Sequence, residues 1–450
     1  MKVLLVNPGS AAVYSLFGLD LPPIGLLYLA ASLEKAGHGV AVWDVQIEGR
    51  PPSPADVPGV DLVGISSDTT RIGKALAIAR KLSSWGKPVV LGGPHAQFTP
   101  EAILDTGHVD YIVRGEGEET LVRLADALES GSGPAGVPGV IFRDGPRTVA
   151  TPPPPPPDVE TLPFPARHLV DLSRYVHMGG RRASPVVTSR GCPGRCSFCS
   201  SSTFFGGTWR ARSVDSVLAE LDALYHRFGV RAVAFVDDNF TLSPARVTAI
   251  SEGIARRGLD LKWWAFSRVD TVVRNPAMVA SMAAAGCFRI YLGIESGSDE
   301  TLARLGKRTR SGDAAVAVRI LRSHGIEVHG SYIIGSPDEG RADVERTIEM
   351  AVALDTDIGQ FSILTPYPGT ALAEELSDRI FTRRWKYYDG LHLVFRHPRM
   401  NRYLLQSLLV KAYVRFYRRS RKSREGFMAA GRRARLGPRR IAAGLVEFFF

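Results

Sequence analysis

Short apolar runs alternate with stretches of helical periodicity over the first 125 residues. Each run is three or four residues long and is followed by small or polar residues. This is the pattern of buried parallel strands connected by helices. The sequence therefore predicts an α/β protein that begins with an open, doubly wound parallel sheet. The five predicted strands are residues 3–6, 40–43, 62–65, 88–91 and 111–113.

A second series of strand–helix units begins at residue 183. Six apolar runs recur there, separated by stretches of helical periodicity. One of these helices is predicted to start at Ser213, a favoured N-cap residue, and to stop at Gly229. Six units predict a partial (β/α)6 barrel, in which chemistry collects at the carboxyl ends of the strands. The predicted barrel strands are residues 185–188, 233–236, 263–266, 289–294, 328–334 and 360–364.

Regular patterning is lost between residues 131 and 182. Thr151 is followed by six prolines, residues 152–157, which lack N–H donors and favour extended polyproline structure. We interpret this stretch as a semi-rigid connector, with a ligand for a polyproline-binding domain as the alternative. The predicted regions are an α/β domain over 1–130, a linker over 131–182, a barrel over 183–372, and an aromatic, α-helical C-terminal region with a basic tail over 373–450.

Three of the four cysteines lie within eight residues, directly after the first predicted barrel strand. Cys192, Cys196 and Cys199 have the spacing Cys-x3-Cys-x2-Cys, and the glycines around them let the backbone curl so that the sulfurs can converge. Converging thiolates bind soft metal, either zinc or an iron–sulfur cluster. Zinc would need a fourth protein ligand, and no cysteine or histidine follows at a finger-like spacing. The pattern therefore favours a four-iron cluster with one iron open to an outside ligand.

These cysteines, with Phe198 directly before the last one, resemble the motif of radical S-adenosylmethionine (SAM) enzymes. The resemblance implies that SAM chelates the open iron of a [4Fe-4S] cluster, and that an electron from the cluster splits the sulfonium to give a 5′-deoxyadenosyl radical. It also implies an external one-electron donor such as a flavodoxin or a ferredoxin. Anionic or amide oxygens at strand ends suit the ammonium of SAM, and a guanidinium suits its carboxylate. The implied SAM contacts are Phe198, Asp237, Asp238, Asn239, Ser267, Arg268 and Glu295.

Four segments of the predicted α/β domain resemble the cobalamin-binding domain that precedes the barrel in many radical SAM enzymes. They are residues 22–29, 64–66, 91–95 and 114–117. Spacing alone would equally allow a flavodoxin-like domain whose glycines only serve turns. Ligands in doubly wound sheets bind at the carboxyl ends of the strands. The implied cobalamin contacts are Asn7, Pro23, Ser66, Thr69, Thr70, Arg71, Gly92, Gly93, His95, Gly115 and Glu116.

The sequence lacks the histidine with which other cobalamin domains ligate cobalt from below. That histidine belongs to an Asp-x-His-x-x-Gly motif after the first strand, and residues 7–25 contain no histidine. We therefore expect no histidine beneath the cobalt, and we expect Thr69, Thr70 or Arg71 near its lower face. His95 is expected to contact the tail of the cofactor or to face solvent rather than to ligate cobalt.

The net charge of +11 comes from the C-terminal tail. Residues 411–440 contain twelve Lys/Arg and one acidic residue, which leaves 44 basic and 44 acidic residues elsewhere. The body of the protein therefore lacks the charge of a nucleic-acid-binding protein. The amphipathic stretch 404–417, the arginine-rich run and the apolar residues 441–450 favour peripheral contact with the anionic inner face of a membrane, or with a lipid-linked substrate. A solvated tail or a partner-docking helix is an equal alternative.

Cysteine usage limits the mechanism and the compartment. Only Cys287 remains outside the triad, so a disulfide framework and a second cluster lack ligands, and a reducing cytoplasm is expected. We expect Cys287 to pack in the core and His392 to be a hydrogen-bonded structural histidine, with catalytic roles as the alternatives. No transmembrane helix is predicted, because the sequence offers no eighteen clean apolar residues.

The resemblance as a whole identifies a single-cluster, cobalamin-binding radical SAM enzyme. It implies methyl transfer to an unactivated carbon. In that reaction one SAM methylates cob(I)alamin, and a second SAM yields the radical that removes a substrate hydrogen. The alternatives are a ring-forming or oxidative enzyme of the same architecture and a non-catalytic metal-binding interaction module. The substrate is left open among a lipid, a lipid-linked sugar and a soluble natural-product intermediate.

Overall fold

The computed structural model describes residues 1–9, 21–175 and 177–418. Its strands are β1 Lys2–Asn7, β2 Gly39–Asp44, β3 Leu62–Ser66, β4 Val89–Gly92, β5 Tyr111–Val113, β6 Val140–Asp144, β7 Arg147–Ala150, β8 His177–Met178, β9 Arg181–Val186, β10 Ser189–Arg190, β11 Arg210–Ala211, β12 Ala232–Phe235, β13 Lys262–Arg268, β14 Cys287–Glu295, β15 Glu327–Ile334 and β16 Ile358–Ile363. Its α-helices are α1 Ile24–Lys35, α2 Val45–Glu48, α3 Ile72–Ser83, α4 Pro100–Leu104, α5 Glu118–Glu129, α6 Ser200–Phe204, α7 Val214–His226, α8 Pro244–Arg256, α9 Val269–Arg274, α10 Pro276–Ala284, α11 Asp299–Arg304, α12 Asp313–Ser323, α13 Arg341–Leu354, α14 Ala371–Glu375 and α15 Arg402–Arg418.

The first seven strands form one sheet in the order β2-β1-β3-β4-β5-β6-β7. Its first five strands are parallel, and in this register Val6 pairs with Trp43 on one side and with Ile65 on the other. Apolar clusters lie on both faces of the sheet, so the strands read as continuous apolar runs. The doubly wound sheet is confirmed, and each predicted strand agrees with the observed one to within one residue at either end.

The prediction that residues 131–182 lack regular structure is wrong for residues 140–150. Strands β6 and β7 form an antiparallel hairpin that extends the first sheet beside β5. The pattern concealed the hairpin because β6 has only three apolar residues before its charged end, and β7 is an edge strand with little burial. The prolines 152–157 that follow belong to neither a helix nor a strand. A domain boundary at residue 130 would therefore separate this hairpin from the sheet that it extends.

The second sheet has the order β16-β15-β14-β13-β12-β9-β8. Strands β9 and β12 to β16 are parallel and curl into a half-barrel, and the connecting helices pack on its outer face. The six predicted barrel strands are confirmed, although the first lies at Arg181–Val186, nearer the N-terminus than 185–188. Helix α7 starts where predicted, and the Ser213 side chain accepts a hydrogen bond from the Ser216 N–H.

The last described helix, α15, packs against β16 and α13. Its buried face is apolar, and the ring of Phe416 occupies the space where a side chain on Gly359 would lie. The predicted amphipathic helix is confirmed, but the barrel covers its apolar face, so that face is not free to contact a membrane. The arginine-rich run beyond residue 418 lies outside the described residues. Among the helices that the structure describes, none is long and apolar enough to cross a membrane.

Candidate cofactor site between the two sheets

The cysteine loop follows β10 at the mouth of the barrel. Gly191, at φ +79°, starts the loop, and a Cβ there would clash with the Thr208 carbonyl oxygen. Cys192, Cys196 and Cys199 are all free thiols, and the Cys199 N–H donates to the Cys196 carbonyl oxygen at 3.1 Å, which closes the last turn of the loop. The structure therefore brings the predicted triad onto one short loop.

The three sulfurs do not form a compact group of the kind that holds a single ion. Sulfurs around one zinc at about 2.3 Å would lie about 4 Å apart. Among the described residues, the only three potential ligand atoms that lie within 4.8 Å of one another belong to His38, Asp126 and Glu129. The three cysteine sulfurs are not such a group among the described residues.

Positive charge lies next to the cysteine loop. Burial raises the pKa of the Cys196 thiol, while the nearby Lys307 ammonium and the Arg268 guanidinium act to lower it. The Lys307 side chain is only 9% exposed, and its Nζ lies 2.6 Å from Oε1 of Glu295. Two buried or half-buried cations beside the loop favour thiolates and an anionic metal group.

Glu295 stands in a strained backbone conformation at the end of β14. Its φ is +66°, one of only two positive values among the described residues other than glycine. The register of β14 with β15 also shifts between Gly293 and Glu295. Strain of this kind persists where the surrounding structure fixes a side chain for a function. Here the carboxylate lies beside Lys307 at the strand end, and its contact with SAM stays a prediction.

The three residues after β12 have different surroundings. Asp237 accepts hydrogen bonds from the Thr188 N–H at 2.7 Å, from the Thr188 hydroxyl at 2.5 Å and from the Ser189 hydroxyl at 2.6 Å. Its carboxylate is thus fully used in orienting the strand that leads to the cysteine loop. Asp238 accepts from the Gly191 N–H at 3.2 Å, whereas the buried Nδ2 of Asn239 has no hydrogen-bond partner in the described part of the chain.

The remaining predicted SAM contacts also lie near the loop. The Ser267 hydroxyl is 2.7 Å from that of Thr241. The Arg268 guanidinium donates to Asp270 at 2.9 Å and lies close enough to Cys196 to affect its titration. Phe198 is partly buried against the core of the barrel. The strand ends and the loop therefore present a cation, a carboxylate and an unpaired amide donor to one region.

A cavity of about 270 Å³ lies between the carboxyl edge of the first sheet and the barrel. It continues into an apolar space between that sheet and the helices α1 and α5, lined by residues such as Leu5, Leu26 and Leu121. Five of the predicted cobalamin contacts line it together with a predicted SAM contact: Ser66, Gly92, Gly93, Gly115, Glu116 and Asp238. The cavity therefore joins the two predicted sites.

Glycine keeps this cavity open. A Cβ on Gly64 would lie 2.8 Å from Cδ2 of Leu5, and one on Gly117 would lie 3.1 Å from Cδ2 of Leu29. Gly93, at φ +100°, has no room for a Cβ beside the Ser67 carbonyl oxygen. Small residues at strand ends are what the close approach of a large cofactor to the backbone requires.

The other predicted cobalamin contacts lie beside the cavity rather than in its wall. Arg71 donates to Asp68 at 2.7 Å and to Oδ1 of Asn7 at 3.3 Å. Thr70 donates to Asp68 at 2.7 Å. Pro23 directly precedes α1, whose first residues, Ile24 and Gly25, do line the cavity.

His95 is fully buried, so the expectation that it might face solvent is wrong. Its ring nitrogens lie 3.1 Å from the hydroxyls of Thr69 and Thr99. The ring of Trp385 packs edge-on at 4.8 Å. Burial lowers the pKa of His95 to about 4, so the ring is neutral at physiological pH. The loop after β4 is thus fixed by a histidine that two hydroxyls and an aromatic ring surround.

Cys287 and His392 stand as expected. Cys287 is buried, and burial strongly raises the pKa of its thiol, which makes it a packing residue rather than a nucleophile. Nδ1 of His392 lies 3.0 Å from both carboxylate oxygens of Asp389. The expected hydrogen bond is present, but the buried Nε2 of His392 has no hydrogen-bond partner in the described part of the chain, so its structural role stays a prediction.

Comparison with known proteins agrees with this geometry. Residues 186–351 match the radical SAM superfamily, and residues 11–125 match the B12 binding domain. An uncharacterized methyltransferase of Pyrococcus horikoshii is 37% identical over 432 residues, which cover 93% of each chain. The hopanoid C-3 methylase of Methylococcus capsulatus is 30% identical over 402 residues, 88% of this chain and 76% of that protein. The chain belongs to the cobalamin-dependent radical SAM methyltransferases.

Solved structures support the same assignment for this methyltransferase. The radical SAM methyltransferase TsrM of Kitasatospora setae, with cobalamin and a [4Fe-4S] cluster bound, superposes with a TM-score of 0.68 at 25% identity. The match covers 84% of this chain and 78% of that one. Anaerobic magnesium-protoporphyrin IX monomethyl ester cyclases are also among the similar proteins. The predicted cofactors, a [4Fe-4S] cluster, SAM and cobalamin, are thereby confirmed for the enzyme.

The residues of this methyltransferase fit these groups. The cysteine loop offers three thiols beside two cations, which suits an anionic cluster. The unpaired Nδ2 of Asn239 is a buried donor that a polar ligand such as SAM would satisfy. The glycines along the edge of the cavity suit the close approach of a corrinoid to the backbone. Lys307 could not be predicted as a site residue. It is a basic loop residue twelve positions after Glu295, and the sequence contains no pattern that brings the two side chains together.

Proposed function

We propose that this enzyme C-methylates an unactivated carbon of a small-molecule or lipid-linked substrate. The observation that carries the proposal is the cavity that has the glycine edge of the first sheet on one side and Asp238 and the strand that leads to the cysteine loop on the other. Methyl transfer through a corrinoid needs both cofactors to reach one substrate, and a shared cavity is the arrangement that permits this.

The chain's own residues position the reactants and exclude water. Cys192, Cys196 and Cys199 hold the cluster, and Lys307 with Arg268 supplies the positive charge that a SAM carboxylate requires. Glu295 would keep Lys307 in place and present its second oxygen to a hydroxyl of the ribose. When bound, the cofactors supply the methyl group and the hydrogen-abstracting radical, and the protein contributes geometry.

The corrinoid would sit against the carboxyl edge of the first sheet. Ser66, Gly92, Gly93, Gly115 and Glu116 would contact it, because they form the edge of the cavity. Asn7, Thr69, Thr70 and Arg71 would approach its lower face from the neighbouring loops, in place of a histidine. Their hydrogen bonds to one another and to Asp68 give that face fixed polar groups.

The substrate class rests on the relatives and on the tail. One relative is a hopanoid methylase, an enzyme of a polycyclic lipid. The arginine-rich C-terminal tail would allow peripheral contact of a cytoplasmic enzyme with the anionic inner face of the membrane, where such a substrate resides. An external one-electron donor such as a flavodoxin or a ferredoxin would supply the cluster with electrons.

Product mass tests the proposal. The enzyme, reconstituted with cluster and cobalamin, is given a candidate lipid, a strong reductant and SAM with a trideuterated methyl group. We expect a product that gains a deuterated methyl, together with deoxyadenosine and S-adenosylhomocysteine. A product of altered mass without label would favour the ring-forming or oxidative alternative and would contradict methyl transfer.

A further inference from the structure

The cysteine loop is closed at its base by a two-stranded ribbon. Strands β10 and β11 pair antiparallel, and in their register Arg190 lies directly opposite Arg210. Residues 191–209, between these strands, carry the three cysteines and α6. Whatever holds the ribbon therefore holds both ends of the cluster-binding segment.

Two carboxylates from the segment that follows β5, on its loop and at the start of α5, hold this ribbon. Like charges directly opposite in a ribbon repel each other, so the two arginines need compensation. Nη1 of Arg190 donates to Oε2 of Glu116 at 2.7 Å, and its Nη2 donates to Oε1 of Glu118 at 2.6 Å. Nη2 of Arg210 donates to the second oxygen of Glu116. One carboxylate thus binds both strands of the ribbon.

The cluster of charges is buried, which makes its geometry specific. The side chains of Arg190, Glu116 and Glu118 are 10%, 8% and 7% exposed. The guanidinium of Arg190 also lies 5.0 Å from the ring centroid of Tyr28, on α1 of the first domain. Burial makes the loss of any one of these two arginines and two glutamates costly, because its partner would keep an uncompensated charge away from water.

The same carboxylate belongs to the cavity. Glu116, Glu118 and Arg190 are part of its wall, whereas Arg210 is not. Glu116 lies on the glycine-containing loop after β5, where we place the corrinoid edge. If this loop moves, Glu116 moves Arg190 and Arg210 at the base of the cysteine loop with it. A movement of the ribbon likewise moves the loop.

We propose that Glu116, Arg190 and Arg210 form a clamp that couples the two cofactor sites, so that each cofactor strengthens binding of the other. Arg210 acts as a positioning residue, because it can influence the corrinoid only through Glu116. The proposal requires the two cofactors and is independent of the reaction that they perform. Coupling between two sites is reciprocal, so one affinity measured in both states of the other site is enough to detect it.

The test compares hydroxocobalamin affinity in anaerobic protein with and without a reconstituted cluster. In the wild-type protein we expect the cluster to tighten hydroxocobalamin binding at least about fivefold, the lower end of usual couplings. In Arg210→Gln this ratio should fall towards one, because Glu116 then bonds only one of the two strands of the ribbon. Arg210→Lys keeps the charge opposite Glu116 but gives up the fork that also donates to the Pro157 carbonyl oxygen at 2.6 Å, and it should restore most of the ratio.

Arg257→Gln is the matched control, since it breaks an arginine–carboxylate pair with Asp222 on the outer side of the barrel. It should leave the ratio unchanged. If Arg210→Gln does not fold, Glu116→Gln replaces it, because a ratio cancels any direct contact of Glu116 with the corrinoid. A wild-type ratio of one, or an unchanged ratio in the clamp variant, would overturn the proposal without bearing on methyl transfer.

Discussion

Glu339 shows how a single buried carboxyl group can make stability depend on pH. It follows β15, and its Oε2 accepts from the N–H groups of Gly335 at 2.7 Å and Ser336 at 2.9 Å. Burial, with smaller contributions from Asp338 and Asp343, raises its pKa to about 7. The folded protein therefore binds a proton that the unfolded chain has lost, and stability falls as pH rises from about 4.5 to about 7.

Glu339→Gln should remove this dependence. The amide oxygen can accept the same two hydrogen bonds, but the side chain never ionises. Relative to the wild type, the variant should gain up to about 3 kcal/mol in free energy of unfolding between pH 5 and pH 8. Urea unfolding at several pH values measures this, with Glu349→Gln on the exposed face of α13 as the control. A difference that stays constant with pH would contradict the assignment.

Contacts between residues that are distant in sequence could not be predicted. The cysteine triad could be predicted because its three cysteines lie close together in the sequence. The Lys307–Glu295 pair and the Arg190–Glu116 pair could not, because the partners are 12 and 74 residues apart. Asp237 was placed at the correct strand end, yet its bonds to Thr188 and Ser189 depend on a fold that spacing does not describe.

At the scale of elements, the strands and the loops that follow them differ in how well the sequence predicts them. Apolar runs predicted eleven parallel strands because helices bury the first sheet on both faces and the barrel strands on their outer face. The β6–β7 hairpin was missed because an edge hairpin needs few apolar residues. The glycines within β3, at the end of β4 and after β5 could be assigned to turns or to a ligand, and only the cavity distinguishes the two.

Gly64 on β3 should therefore decide whether a corrinoid can enter. Gly64→Leu places a side chain where even a Cβ lies 2.8 Å from Leu5 and fills the cavity wall. We expect the variant to bind at least about tenfold less hydroxocobalamin, since overfilled sites reject ligands by this order. Gly73→Leu, on an exposed position of α3 with open space around it, is the control. Unchanged circular dichroism and thermal unfolding in both variants would show that they fold, and retained corrinoid in Gly64→Leu would refute the placement.

In the molecule as a whole, the carboxyl edge of the first sheet faces the mouth of the barrel, and a cavity lies between them. The first sheet presents its carboxyl ends, and the barrel presents its strand ends and the cysteine loop. Buried ion pairs cross this boundary at Arg190, and a hydrogen bond from the Tyr28 hydroxyl to the Val187 carbonyl oxygen, at 3.4 Å, does so as well. The two cofactors are therefore expected to load into one rigid unit rather than into two independent domains.

The metal content of the protein after anaerobic reconstitution with iron, sulfide and hydroxocobalamin tests this account most directly. We predict about four irons and about one cobalt per chain, and Cys196→Ala should lose the iron. Wild-type protein that retains iron without cobalt, or cobalt without iron, would contradict a site built for both.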